Sequence, residues 1–295
     1  MASILPSSNS KRLLVCYAHP DDETFGLGGT ILHYTRRGVE VSLICATNGD
    51  AGTVPPERLQ GYASVGELRR AELACAAERL GIHEVILFGY RDSGMMGTPD
   101  NQHPDCLWQA PQDDVARWIV EVIRRVRPQV VITFDPYGGY GHPDHIAMHR
   151  ATVQAFHAAG NPEKYPEQLD NGLMVYQPQR LYFDVFPRLF IRLGVLLARL
   201  TGQDPRHMGR NKDLDFQAVL DATLPAHVRL DLRRYYDELE QADGCHASQV
   251  SPRQMMRLPT FLARQTLGWE SFFRAWPEVQ PGARLERDLF EGVVP

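Results

Sequence analysis

Two turns rich in histidine and aspartate are the features of this sequence best suited to chemistry. The first reads Ala18-His19-Pro20-Asp21-Asp22-Glu23, and the second reads Asp135-Pro136-Tyr137-Gly138-Gly139-Tyr140-Gly141-His142-Pro143-Asp144-His145. Imidazole and carboxylate side chains form the usual ligand set of a catalytic zinc, which takes three protein ligands and leaves a position for water. The pair of turns therefore favours a metal-dependent hydrolytic site.

A complete ligand set can be drawn from these two turns. His19, Asp22 and His145 could together bind one zinc ion per chain. Asp21 and His142 would then be free for proton transfer and charge stabilisation, which a metal alone does not supply.

The alternative for each turn is a purely structural role. A single His-Pro-Asp is usually a turn or a helix cap, because aspartate accepts backbone N–H groups at a helix start. Two copies at matching positions favour the metal site. Asp22 or Glu23 could still cap the helix that follows. For Asp144 we expect a supporting role, either as a cap of the next helix or as the carboxylate partner of His142.

The surrounding segments predict an α/β protein with a Rossmann-like, doubly wound, mainly parallel sheet flanked by helices. Near-continuous apolar strands alternate with helical segments, a pattern typical of parallel sheets covered on both faces. The predicted strands are 12–18, 40–47, 84–89 and 129–135, and the predicted helices are 24–37, 66–81, 113–128 and 143–158. Because ligands bind at the carboxyl ends of such strands, we expect both turns at one edge of the sheet.

The pattern is weaker beyond residue 160. Residues 180–185 could form a fifth strand, and 213–244 contains a predicted helix with Tyr235 and Tyr236. No composition break divides the chain, so we expect a single domain over 1–295, with a motif-bearing core at 1–160 and a C-terminal part at 161–295 that shapes the substrate pocket. The apolar segment 189–200 is read as a packed or lid helix, with an oligomer or membrane-surface face as the alternative.

Composition limits the partners and the compartment. The chain has 295 residues, of which 43% are hydrophobic, and a net charge of -5, so no basic field favours nucleic acid or anionic lipid. The first ten residues lack a secretion signal, and no apolar run reaches the length of a membrane span. Five scattered cysteines argue against a disulfide framework or a thiolate zinc site, and Cys16 and Cys45 are expected to be buried. We therefore expect a cytoplasmic protein that binds a small molecule and could self-associate.

The paired motifs AHPDDE and GYGHPDH resemble those of the LmbE/PIG-L family of zinc-dependent N-deacetylases, over about the first 160 residues. The resemblance implies a Rossmann-like fold and removal of an N-acetyl group from a glucosamine-containing substrate. It also implies roles position by position: His19, Asp22 and His145 as zinc ligands, Asp21 as the general base, and Tyr140 and His142 as groups that stabilise the oxyanion.

Two further positions resemble the bacterial thiol-biosynthesis branch of that family. Arg69 within RRAEL and Asp92 within YRDSGMMGT are similar to its sugar-binding positions. These enzymes deacetylate N-acetylglucosaminyl-inositol or N-acetylglucosaminyl-malate, or cleave mycothiol conjugates. A guanidinium donates to sugar hydroxyls and a carboxylate accepts from them. The alternatives are a solvated helix face for Arg69 with Glu72, and a loop cap for Asp92.

The expected reaction is hydrolysis of the acetamide. A metal would activate water, Asp21 would take its proton and return it to the amine, and Tyr140 with a protonated His142 would oppose the developing charge. The alternatives are an amidase of a glucosaminyl thiol conjugate, a deacetylase of a secondary-metabolite sugar, and, from another class, a metal-containing glycan-binding protein without catalysis. Asp21 argues against the last, since pure binding needs no base. Iron or cobalt could also occupy the zinc ligands.

Two other enzyme classes fit poorly. The run Gly26-Leu27-Gly28-Gly29 lacks the dinucleotide-binding pattern G-x-G-x-x-G because its last position holds no glycine. These glycines are expected to allow close helix–sheet packing instead. Ser93 lacks the G-x-S-x-G turn of a serine hydrolase.

Overall fold

A computed structural model of the protein describes residues 10–209, 212, 214–249 and 259–294. Residues 1–9, where the sequence analysis expects no secretion signal, and Asp213, the first residue of the predicted 213–244 region, lie outside the described residues. The strands in the described part are β1 (Arg12–Tyr17), β2 (Glu40–Thr47), β3 (Glu84–Tyr90), β4 (Val130–Thr133), β5 (Arg180–Val185), β6 (Val228–Asp231) and β7 (Trp269–Trp276).

Helices flank the sheet. Those described are α1 (Asp22–Phe25), α2 (Gly28–Thr35), α3 (Val65–Leu80), α4 (Gln112–Val126), α5 (Gly138–Gly141), α6 (Pro143–Ala158), α7 (Pro166–Asp170), α8 (Arg188–Leu200), α9 (Phe216–Ala222), α10 (Tyr236–Asp243) and α11 (Thr260–Leu267). Short 3₁₀ turns lie at Pro56–Leu59, Pro99–Gln102, Leu107–Gln109 and Arg233–Tyr235.

The strands form one seven-stranded sheet in the order β3-β2-β1-β4-β5-β7-β6. Strands β1 to β5 pair in parallel, whereas β7 is antiparallel to both β5 and β6. The mainly parallel α/β fold expected from the sequence is therefore confirmed. The strand order reverses between β1 and β4, and in open parallel sheets ligands bind at such a reversal. The two motif turns follow these two strands.

The region between β1 and β2 differs from the single helix predicted over 24–37. It divides into α1 and α2, with a break at Gly26 and Leu27. A Cβ atom on Gly28 would lie 2.4 Å from Leu239 of α10, and one on Gly29 would lie 2.9 Å from Leu232. Close packing at these glycines is therefore observed, but the neighbours include α10 and Leu232 of the C-terminal part as well as Glu270 of β7, rather than the sheet alone.

The C-terminal part joins the same sheet as the motif-bearing core. Strand β5 at 180–185 is confirmed, while Tyr235 ends a 3₁₀ turn and Tyr236 begins α10. The segment 189–200 lies within α8, of which only Val195 and Ala198 are buried. Its outer leucines are exposed, so its role as a lid or an association face stays a prediction. Among the described residues, no helix has the length and apolar character needed to cross a membrane.

One disulfide contradicts the sequence analysis. Cys75 of α3 and Cys245, which follows α10, form a disulfide across 170 residues of sequence. Linear spacing gives no sign of this pair, because only the packing of α10 against α3 brings the two cysteines together. Cys16 and Cys45 are buried thiols as expected, and burial raises the pKa of Cys16 to about 12.

Candidate active site

Backbone conformations that few residues adopt shape both motif turns. Asp21 lies between β1 and α1 with φ of 130°, a region that side chains disfavour. Gly138 after β4 also has a positive φ, and a Cβ atom there would lie 2.8 Å from Ile146. Glycine thus lets the second turn fold closely against the start of α6, which carries His145. The turns meet at the carboxyl ends of β1 and β4, as expected.

Three of the expected residues bring ligand atoms to one point. The Nδ1 atom of His19 lies 3.2 Å from the Nε2 atom of His145. The Asp22 carboxylate lies 3.3 Å from each nitrogen, through Oδ2 to His19 and through Oδ1 to His145. Tetrahedral ligands ~2.0–2.1 Å from a zinc ion lie about 3.3 Å from one another. The three side chains therefore have the spacing of zinc ligands.

Hydrogen bonds behind the two imidazoles determine which ring nitrogen carries the proton. His145 donates from Nδ1 to the Gly138 carbonyl oxygen at 3.2 Å, and His19 donates from Nε2 to Asp144 at 3.1 Å. The opposite nitrogens then present lone pairs to each other. Facing lone pairs at this distance repel unless a cation lies between them, and such outer hydrogen bonds commonly orient histidine metal ligands.

Asp144 supports His19 rather than His142. Its fully buried carboxylate accepts from His19, from the Ser93 hydroxyl, and from the Ser93 backbone N–H at 2.9 Å. His142 itself caps α6, because its Nδ1 atom accepts the Asp144 N–H. Both roles expected for Asp144 are therefore wrong. Pro143 begins the helix, so the cap falls on the preceding residue and the Asp144 side chain turns back toward β1.

The same region offers further ligand combinations. His142 forms a cluster with His19 and His145, and Asp92, His142 and Asp144 surround His19 in another. All of these side chains are buried. The described residues thus include more than one group able to hold a metal ion.

The electrostatics of the cluster favour a bound cation. Burial lowers the pKa of His19, but the carboxylates of Asp92, Asp144 and Asp22 outweigh burial and raise it. Burial likewise raises the pKa of Asp22, yet His145 and His19 hold it well below its usual range. A buried group of carboxylates that stabilises positive charge on an imidazole also attracts a metal ion.

Asp21 is held beside these ligands by Arg69. The Nη2 atom of Arg69 donates to Asp21 Oδ2 at 2.8 Å and to the Pro20 carbonyl at 2.6 Å, and Nη1 donates to the Gly49 carbonyl. Arg69 is 4% exposed, so a solvated helix face is wrong for it. Burial raises the pKa of Asp21 to about 6, although Arg69 opposes the shift. A carboxyl group with that pKa can both take up and release a proton near neutral pH.

Tyr140 and His142 lie against the ligand imidazoles. The Tyr140 ring centre is 5.1 Å from that of His145 and 6.0 Å from that of His142. Burial raises the pKa of Tyr140, so its hydroxyl stays protonated and can donate. Burial, together with His19 and His145, lowers the pKa of His142 well below its usual value. Because Nδ1 of His142 accepts the Asp144 N–H, the ring takes one proton, on Nε2, and the structure favours neutral His142 over the imidazolium that the sequence analysis expects.

The loop after β3 also reaches the site. Asp92 Oδ1 lies 3.6 Å from His19 Nε2 and accepts the Gly94 N–H at 2.8 Å, which confirms the loop cap weighed for Asp92. Sugar binding by Asp92 and Arg69 stays a prediction. Ser93 was missed as a partner of Asp144. Its position directly after a strand whose carboxyl end faces this edge was the available signal.

The matching family and two relatives of this chain are all described as deacetylases. The family described as "PIG-L: GlcNAc-PI de-N-acetylase" matches residues 14–156. A protein of Thermobifida fusca named 1D-myo-inositol 2-acetamido-2-deoxy-alpha-D-glucopyranoside deacetylase is 38% identical over 254 residues, covering 82% of this chain and 85% of the relative. A protein of the same name from Geodermatophilus obscurus is 37% identical and covers 96% and 98% of the two chains.

Solved structures with low sequence identity share the fold. The N,N'-diacetylchitobiose deacetylase from Pyrococcus horikoshii superposes with a TM-score of 0.63 at 20% identity, covering 93% of this chain and 88% of that one. The 4-carboxy-2-hydroxymuconate hydratase GalB superposes at 0.58 with 19% identity, covering 93% and 100%. Because one of these is a deacetylase and the other a hydratase, the fold alone does not determine the reaction.

Proposed function

The chain belongs to the PIG-L family of de-N-acetylases, and from this premise we propose that it removes the N-acetyl group from an N-acetylglucosaminyl-inositol. The inositol aglycone is supported by relatives of that name, which are similar to this chain over most of both lengths. The reaction is hydrolysis of a linear amide and releases acetate and a free amine.

The observation that carries the proposal is the meeting of His19, Asp22 and His145 at 3.2–3.3 Å with lone pairs turned toward one another. We assign these three side chains as the ligands of one zinc ion. The cluster around His142 is the less suitable set, because Nδ1 of His142 accepts the Asp144 N–H and its Nε2 carries the proton, which leaves no lone pair for a metal. A zinc ion in this place supplies a Lewis acid that lowers the pKa of water toward ~7 and polarises a carbonyl.

Asp21 acts as the general base and then as the general acid. Its pKa of about 6 lets the carboxylate take a proton from the attacking water at neutral pH and return it to the departing amine. Arg69 holds the Asp21 carboxylate through Oδ2, which leaves Oδ1 for that proton.

Tyr140 and His142 donate to the oxygen that gains charge in the transition state. The Tyr140 hydroxyl and the Nε2–H of neutral His142 are both donors in a water-poor environment, where such bonds are strong. Removing one such donor typically lowers the rate by ~10²–10³.

The remaining expectations follow from the same proposal. Asp92 and Arg69 would contact the sugar. We expect a single domain over 1–295, a small amino-sugar as the partner, no nucleic acid or membrane partner, and possible self-association. A cytoplasmic location stays a prediction, and the disulfide of Cys75 with Cys245 weakens the reasoning behind it, because disulfides are rare in that compartment.

The test is amine release from matched acetamides. The substrates are the inositol and malate conjugates of N-acetylglucosamine, free N-acetylglucosamine, and a bulky thiol-conjugate amide, each with chelator-stripped and zinc-restored protein. We expect zinc-dependent release, highest for the inositol conjugate. Asp21→Asn should keep its zinc and lose about 10²–10⁴ in kcat. Asp105→Asn, at an exposed carboxylate of the loop after β3, is the matched control.

Two results would refute the proposal. Zinc-loaded wild-type protein that releases no amine from any sugar would favour the glycan-binding alternative. Near-normal turnover by zinc-loaded Asp21→Asn would remove Asp21 from the reaction.

A further inference from the structure

The strained backbone at Asp21 is held by a neighbouring carboxylate. With φ at 130°, Asp21 adopts a conformation that residues with a side chain disfavour and that persists only where the surroundings enforce it. The Asp21 N–H donates to Glu23 Oε2 at 3.0 Å, and the Asp21 carbonyl accepts the Thr24 and Phe25 N–H groups at 3.0 and 2.8 Å. Glu23 therefore holds the backbone N–H of Asp21 in place.

Glu23 is in turn tied to a histidine from the far end of the chain. Its other oxygen, Oε1, accepts the Thr24 hydroxyl at 2.5 Å and lies 2.7 Å from the Nε2 atom of His246, and the Glu23 and His246 side chains are 1% and 0% exposed. In the described part of the chain, Nδ1 of His246 has no hydrogen-bond partner. The contact with Glu23 is thus the polar interaction of this buried ring, and a buried carboxylate without such a partner is unfavourable.

The segment that carries His246 is anchored to α3. The neighbouring Cys245 is bonded to Cys75, and the Ser248 N–H and hydroxyl both donate to the Glu72 carboxylate at 2.7 Å. Glu72 and Cys75 follow Arg69 at intervals of three residues, so the three lie on neighbouring turns of α3.

Two connections therefore run from α3 to Asp21. Arg69 holds the carboxylate directly. The second connection passes through the anchored segment, His246 and Glu23 to the backbone N–H. Together they define both the side chain and the peptide plane of this residue.

We propose that His246, acting through Glu23, is a positioning residue that holds Asp21 in the conformation needed for proton transfer. This inference rests on the proposed function of Asp21 as the base. Neither motif turn contains His246, and 223 residues separate it from Glu23. Loss of the His246 donor leaves the Thr24 hydroxyl on Oε1 but removes the ion-pair partner of the buried carboxylate, so the carboxylate shifts and the strained peptide relaxes. A misplacement of about 1 Å at a reacting group can cost about 10²-fold in rate.

The test compares three substitutions at one position. His246→Phe keeps a ring but no donor, His246→Asn is a smaller second variant that is too short to reach Glu23, and His246→Gln keeps a donor on a flexible chain. For the first two we expect kcat for the inositol conjugate to fall about 10–100-fold, with KM and zinc content unchanged. We expect His246→Gln to recover most of the loss. His157→Phe on α6, away from the site residues, is the matched control.

A second readout does not depend on turnover. Amide hydrogen exchange over residues 19–25, followed by mass spectrometry on the zinc-loaded protein, should be about tenfold faster in His246→Phe and His246→Asn than in the wild type. His246→Gln should exchange at nearly the wild-type rate.

The outcomes separate this inference from the proposed function. Unchanged exchange or unchanged kcat in both donor-free variants overturns the inference. The inference is also overturned if the two donor-free variants show a raised KM, a lower zinc content and a lower thermal stability together. That result would assign His246 a general structural role. Wild-type protein that releases no amine refutes the proposed function instead, and the exchange rates alone then decide whether His246 holds the backbone at Asp21.

Discussion

Removing the carboxylate of Asp144 should weaken metal binding without unfolding the protein. The Asp144 side chain contacts none of the groups assigned to the substrate, and its Oδ2 atom accepts from His19 Nε2 and from the Ser93 backbone N–H. Its charge favours the His19 tautomer whose Nδ1 lone pair faces His145 and Asp22. The substitution therefore acts on the metal through the orientation and basicity of one ligand.

The magnitude follows from which contacts each variant keeps. In Asp144→Asn, the amide oxygen can replace Oδ2, while the amide NH₂ can donate to the Ser93 hydroxyl, which already accepts the Trp108 N–H. The charge is lost and the Ser93 hydroxyl proton loses its acceptor, and we expect zinc affinity to fall about tenfold, or ~1.4 kcal/mol. Asp144→Ala loses all three contacts, and we expect about 100-fold, or ~2.7 kcal/mol.

The assay is zinc competition against a chromogenic chelator with metal-free protein. Far-ultraviolet circular dichroism and thermal unfolding establish that each variant is folded. Asp105→Asn tests for an unspecific effect of removing a carboxylate from this region, and it should bind zinc like the wild type. Co-measured kcat at saturating zinc should fall less than the affinity, because excess metal refills the site.

Folded Asp144→Ala that binds zinc within about threefold of the wild type would refute the reasoning, since outer hydrogen-bond partners of metal ligands usually matter by 10–100-fold. A larger effect for Asp144→Asn than for Asp144→Ala would also refute it. That order would mean that the introduced amide, rather than the lost carboxylate, disturbs His19.

Two further predictions concern stability. The disulfide closes a loop of 170 residues, so the double variant Cys75→Ser/Cys245→Ser should lose up to about 5 kcal/mol of unfolding free energy in denaturant titrations. Reductant should bring the wild type to the same value. Equal unfolding midpoints of variant and wild type without reductant would contradict this. Burial, with Arg37 beside Nε2, lowers the pKa of His33 to about 4, whereas the unfolded chain binds that proton below ~6.5, so stability should fall as pH falls from 6.5 toward 4. His33→Gln should reduce this loss of unfolding free energy by about 2 kcal/mol at pH ~5. Identical pH profiles of unfolding for the variant and the wild type would show that His33 is not the cause.

Local sequence was sufficient for the elements that carry the site. Continuous apolar runs predicted β1, β2, β3 and β4 within a few residues. The almost fully buried β1, β2 and β4 need apolar side chains at nearly every position, whereas β3 lies at the edge of the sheet and is only partly buried. The parallel arrangement then required the turns after β1 and β4 to share an edge. The break at Gly26 was not predicted, because close packing against Leu232 and Leu239 decides it. Strands β6 and β7 were also not predicted.

Only the tertiary structure decided which side chains support the ligands. Asp144 faces His19 across 125 residues of sequence, Cys75 meets Cys245 across 170, and His246 meets Glu23 across 223. Periodicity and turn chemistry act over a few residues, so they predict helices, strands and the positions of motif residues. Partners of buried polar groups depend instead on how distant elements pack, because each group takes whichever complementary atom the folded core brings within hydrogen-bond distance.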